Sequence, residues 1–113
     1  MAQYETSLTG RFDDLLNYIE RQVLQGSASA SREGGASYEM DGVRCAVRVF
    51  ERYSYMGGNR LSLSVTLFGK DDDLRLTAIT AGGSQALLFK INTWGEEAFL
   101  KKFVNAIEEY KKR

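Results

Sequence analysis

The chain of 113 residues balances 15 Lys and Arg against 15 Asp and Glu, so it carries no net charge and no overall field to draw it onto nucleic acid or an anionic membrane. Its 43% hydrophobic and 27% charged content is that of a folded domain, and the length allows one sizeable core. Histidine is absent, which removes the commonest general base, the usual catalytic zinc ligand and any Ser–His or Cys–His nucleophile pair.

In chain order, residues 4–9 alternate Tyr4, Thr6 and Leu8 against Glu5, Ser7 and Thr9 and predict a short strand. Residues 11–24 place Phe12, Leu15, Leu16, Ile19 and Val23 at helical spacing. Asp13 and Asp14 suit the positive end of that helix, and Gly26 ends it. Residues 25–37 are small and polar and read either as a weak hairpin, 27–32 against 36–40, or as a loop. Asp41-Gly42 offers the positive φ values of a two-residue hairpin turn.

The strand from Val43 through Tyr53 alternates Val43, Cys45, Val47 and Val49, expected to face the core, with Arg44, Ala46, Arg48 and Phe50, expected outside. After a turn at residues 56–59, Leu61, Leu63, Val65 and Leu67 alternate with Ser62, Ser64, Thr66 and Phe68, so one face is buried. Residues 69–73 predict a solvated loop, and Leu74, Leu76 and Ala78 continue the buried face. A turn at 81–84 precedes a last strand at 85–91, with Leu87, Phe89 and Ile91 on one side. Thr93 and Glu96 have capping-box spacing at the head of a helix reaching Tyr110, whose stripe is Phe99, Leu100, Phe103, Val104 and Ile107. That stripe is expected to face Val47, Val49, Leu63, Val65 and Leu76.

These elements predict one α+β domain over residues 1–113. It is a curved antiparallel sheet of six or seven strands with one N-terminal helix and a long C-terminal helix packed across it. The order resembles the helix-grip fold of the START and Bet v 1-like superfamily, which implies an apolar ligand enclosed between sheet and C-terminal helix. The stretches VRVFERYSYMGGNRLSL (47–63) and AITAGGSQALLFKINTWGEE (78–97) resemble a family of small bacterial proteins of unknown function. That resemblance implies a bacterial source and names no activity.

The apolar runs are only a few residues long, against the roughly 20 needed to span a bilayer. The start Met1-Ala2-Gln3-Tyr4-Glu5 lacks the charge and apolar core of a signal peptide. With the lone Cys45, these features predict a cytoplasmic protein that binds neither membrane nor nucleic acid.

Arg44, Arg48 and Arg52 would share the outer face at spacings of about 13 Å, as a solvated surface or one that docks an anion or partner. Tyr53, Tyr55, Asn59 and Arg60 surround the Gly57-Gly58 turn, where two phenols, an amide and a guanidinium could recognise a polar ligand. Trp94 is placed at the same end. The ligand-binding candidates are therefore Arg48, Arg52, Tyr53, Tyr55, Asn59, Arg60 and Trp94.

Residues 81–85 lack the Lys-Ser/Thr of a phosphate loop, and Asp71-Asp72-Asp73 lacks the distal Glu of a calcium loop. No catalytic residue, metal or cofactor is assigned. The leading expectation is a non-enzymatic binding module for an apolar small ligand between sheet and C-terminal helix. The alternatives are a homodimer or partner-docking protein using the outer sheet face, and an enzyme using Tyr53 or Glu51 with arginine assistance.

Overall fold

The computed structural model describes residues 2–53, 60–82 and 89–113, with side chains described for all of these except 89–94. Strict alternation of bulky apolar with small polar residues makes β4 (Arg60–Lys70) the central strand. Leu61, Leu63, Val65 and Leu67 are buried, and Ser62, Ser64 and Thr66 stand on the other face. β3 (Val43–Tyr53) and β5 (Asp73–Gly82) flank it, and β1 (Ala2–Thr9) and β2 (Ser31–Met40) form the edges. The order is β1-β5-β4-β3-β2, with every neighbouring pair antiparallel.

Asp41 and Gly42 adopt φ of 54° and 80° between β2 and β3, the left-handed pair that a two-residue hairpin requires. Asp71, also at φ 54°, opens the β4–β5 turn, where a short polar side chain tolerates that conformation. Only Asp71 and Asp72 form this turn; Gly69, Lys70 and Asp73, expected in a loop, are strand residues. Gly69 leaves room for its neighbours, since a Cβ would sit 2.6 Å from Leu74 Cδ2 and 3.3 Å from Phe12 Cδ2 and one of them would have to shift.

Helix α1 (Phe12–Gln25) carries the chain from the β1 edge to the β2 edge across one face of the sheet. Helix α2 (Phe89–Lys111) lies on the same face over β1, β5 and β4 and touches α1. Phe12, Leu15, Ile19 and Val23 of α1 and Phe99, Leu100, Phe103 and Ile107 of α2 join the inner side chains of β3, β4 and β5 in one core. Leu63, Val65, Leu76, Phe103 and Ile107 are each at most 4% exposed, so the space between sheet and α2 is packed. None of the described helices is long and apolar enough to cross a membrane.

Several expectations change. The described sheet has five strands rather than six or seven, and residues 31–40 are neither a hairpin within themselves nor a loop, but one strand paired to β3. Phe89 and Ile91, expected in a strand, belong to α2, so Thr93 lies inside that helix rather than at its head. Residues 83–88 of the expected last strand fall outside the described residues.

The largest correction is the phase of β3. Ala46, Arg48, Phe50 and Arg52 face the helices, whereas Val43, Cys45, Val47 and Val49 lie half-buried on the open face. The stripe on α2 therefore meets Leu63, Val65 and Leu76 but not Val47 and Val49.

Candidate functional site

The inward turn of the β3 arginines follows from what α1 presents to them. Arg48 Nε donates to Glu20 Oε1 at 2.7 Å, and its Nη1 donates to the carbonyls of Val47 at 2.9 Å and Ala36 at 3.1 Å. Both terminal nitrogens lie 3.2 Å from Ser37 Oγ. One guanidinium thus ties α1, β2 and β3 together, the satisfied state a buried charge needs.

One turn of sheet away, Arg44 donates to Asp13 Oδ1 at 2.8 Å and covers the Phe12 ring at 4.2 Å. The Arg44 bond holds the Asp13 carboxyl below its ordinary range, and the same bond raises Arg44. Arg52 stacks over Phe99 at 4.3 Å. These arginines clamp the helices to the sheet and are absent from the open face.

The open face is built by register. Across β2, β3, β4 and β5 its rows run Met40–Val43–Lys70–Asp73, Tyr38–Cys45–Phe68–Arg75, Ala36–Val47–Thr66–Thr77 and Gly34–Val49–Ser64–Ile79. Met40 is 76% exposed, Tyr38 67% and Phe68 49%, around the half-buried Val43, Cys45, Val47 and Val49. Isolated exposed apolar residues are ordinary, whereas these adjoin one another across three strands and form the candidate site.

Ion pairs sit at the two ends of the strands, and Arg75 beside Phe68 and Glu5 beside Thr77 bring charge onto the β5 and β1 side of the same face. Arg60 pairs with Glu51 at 2.8 Å and Glu33 at 3.2 Å at one end, and Asp73 with Arg75 at 3.1 Å at the other. The apolar residues of this face thus lie on β2, β3 and β4. The sequence signal for it was the two-residue turn at Asp41-Gly42. That turn fixes Met40 opposite Val43 and Tyr38 opposite Cys45, and so makes one apolar patch of two strands.

Of the ligand-binding candidates, Tyr53 is 56% exposed at the end of β3, with the Arg60 guanidinium 5.8 Å from its ring centroid. Arg60 also occupies Glu51, so these three form one exposed cluster. Arg48 and Arg52 are buried on the opposite, helix-covered side, which corrects their assignment to the outer face. Tyr55, Asn59 and the Trp94 side chain lie outside the described residues. Cys45, expected in the core, is half-buried on the open face.

A cleft of about 150 Å³ opens between α1 and α2 beside Arg52. A shallow depression of about 660 Å³ near the chain's C-terminus is lined by Arg11, Arg21, Tyr18, Tyr110 and Arg113 among others. Among the described residues no group of three or more Cys, Asp or Glu side chains is placed to hold a metal ion.

No curated protein matches the chain. A family model described as "Family of unknown function (DUF6054)" matches residues 1–111. That span takes in every described strand and both helices, and the chain therefore belongs to DUF6054.

Proposed function

We propose that the protein is a non-enzymatic self-association module whose working surface is the open face of the sheet and whose partner is a second copy of the same chain. The observation that carries this reading is the patch of Tyr38, Met40 and Phe68 around Val43, Cys45, Val47 and Val49. The strand order, with β1 paired to β5 and both helices on one face, is compatible with a short relative of the helix-grip fold. In that reading the patch lies on the side no helix covers.

Area supports a whole-face contact. Five strands at ~4.8 Å spacing and ~33 Å length present roughly 800 Å², which is about the share each partner contributes to a standard stable interface. Size complementarity supports a second copy. A twofold axis across the strands, between the Cys45 and Val47 rows, lays each strand over its own copy. Tyr38 and Phe68 then stand above the smaller Ala36 and Thr66 of the second copy. Sheets packed face to face lie about 10 Å apart, beyond the roughly 7 Å Cα limit for a disulfide, so the Cys45 pair stays reduced in this assembly.

Light scattering during gel filtration tests the proposal. The wild type is expected at twice the 12.7 kDa of one chain, and Val47→Arg at the single-chain mass with an unchanged circular dichroism spectrum. A wild type that stays at the single-chain mass in a concentrated sample overturns it, as does a Tyr38→Ser/Phe68→Ser variant that remains fully dimeric.

A further inference from the structure

The cleft between the two helices has its own chemistry. Its floor is Val23, Phe99 and Phe103, all buried, with Ala106 on the α2 side. Its volume of about 150 Å³ matches the size of apolar cavity that accepts a benzene ring. Among the described residues no Asp or Glu lines it, whereas Arg52 and Lys102 both do.

Arg52 is held by its stacking on Phe99. Lys102 Nζ donates to the Gly26 carbonyl, at the end of an α1 that has no basic residue in its last turn. An ammonium group has three donors, so this bond leaves capacity toward the cleft. The C-terminus of α1 contributes roughly half a negative charge. Arg52 and Lys102 bring positive charge to the lining, so the balance around the cleft remains positive.

From this combination we infer that the cleft is a binding site for a small monocarboxylate whose body is a single ring or a short branched chain. The body fills the space over Phe99 and Phe103, and the carboxylate meets the exposed Lys102 at the mouth, with the buried Arg52 adding positive charge from within the lining. A long acyl chain would overfill the cleft and leave its remainder in water. A fully hydrophilic anion such as inorganic phosphate would leave the apolar floor uncovered. An amine of the same shape would face two like charges. This site lies on the helix-covered side of the sheet and does not depend on self-association.

Titration of the full chain with sodium benzoate, followed by calorimetry and by amide NMR shifts, tests the inference. Saturable binding is expected, with shifts centred on Val23, Phe99 and Phe103, and with benzylamine producing none of them. Lys102→Met keeps the stem and removes the charge, and is expected to weaken benzoate about tenfold or more. Ala106→Leu fills the cleft without touching a charge and is expected to abolish binding while the protein stays folded. Non-saturable benzoate shifts, equal binding of benzylamine, or full binding by folded Ala106→Leu would each overturn the assignment.

Discussion

Gly35 lies directly opposite Arg48 in the β2–β3 register, and a Cβ on it would stand 3.0 Å from Arg48 Cδ and 2.7 Å from the Val47 carbonyl oxygen. A side chain here would meet the Val47 carbonyl first, and then the Arg48 stem and the Arg32 guanidinium. Its neighbour Gly34 has nothing within 4 Å of the corresponding position.

The two glycines should therefore respond oppositely to alanine. Gly35→Ala forces the arginine or the strand to shift and is expected to destabilise by about 1–3 kcal/mol. Gly34→Ala is expected to be neutral or to stabilise by about 0.4–1 kcal/mol by restricting the unfolded chain. Urea unfolding of both variants checks this. Equal losses at the two positions would show that the close approach of Val47 and Arg48 is not the reason for the glycine.

Arg48→Glu should collapse stability by about 3–5 kcal/mol, because it sets a carboxylate against Glu20 and strips the donors from Ala36 and Ser37. Adding Glu20→Gln should return part of that loss, since the two residues share one network. A mild effect of Arg48→Glu in chemical denaturation would mean that the arginine is solvated after all.

Phe103 is 4% exposed at the junction of α2, α1 and the sheet. Phe103→Ala should cost about 3–5 kcal/mol as a cavity-forming change. The measurement is the urea midpoint of the variant, with the slope unchanged.

Cys45 reports on the open face. Its half-buried thiol should react with a disulfide reagent in the folded, dilute protein without denaturant. The rate should fall as protein concentration rises and a second copy covers the face. A labelling rate that is independent of concentration counts against self-association through this surface.

The pH dependence should be a broad plateau. Asp13, Glu33, Asp73 and Glu108 are held below their ordinary range, led by hydrogen bonds from Arg44, Ser31, Arg75 and Tyr4 respectively. Each contributes stability above its unfolded pKa near 4 and loses it as pH falls through the lower folded value.

At the alkaline end, Lys111 is raised, chiefly by its bond to Glu108, and its contribution is lost as pH rises through the folded value. Tyr4 and Tyr110 are raised, chiefly by burial, so the fold resists their ionisation and stability falls above about pH 10. No histidine titrates between these limits. The urea midpoint should stay nearly constant from about pH 5 to 9; a step near pH 6 to 7 would contradict this account.

The sequence by itself determined the elements whose signals are local. Helical spacing from Phe12 to Val23, the positive-φ turn at Asp41-Gly42 and the Leu–Ser alternation of β4 each depend on a few neighbouring residues, and each recurs in the structure. The phase of β3 was not local. Val43, Cys45, Val47 and Val49 are apolar on one side, and Ala46 and Phe50 are apolar on the other, so alternation alone offers two faces of similar worth.

Tertiary structure chose between them. Asp13 and Glu20 project from α1 onto the face that carries Arg44 and Arg48, while Phe50 reaches full burial on that face. The valines were left outside as the candidate docking surface. Residues 31–40, glycine-bearing and polar, became a strand only because β3 supplied a partner for their backbone groups. Pairing and coverage are long-range contacts, and a chain read residue by residue carries no record of which of its two faces will be covered.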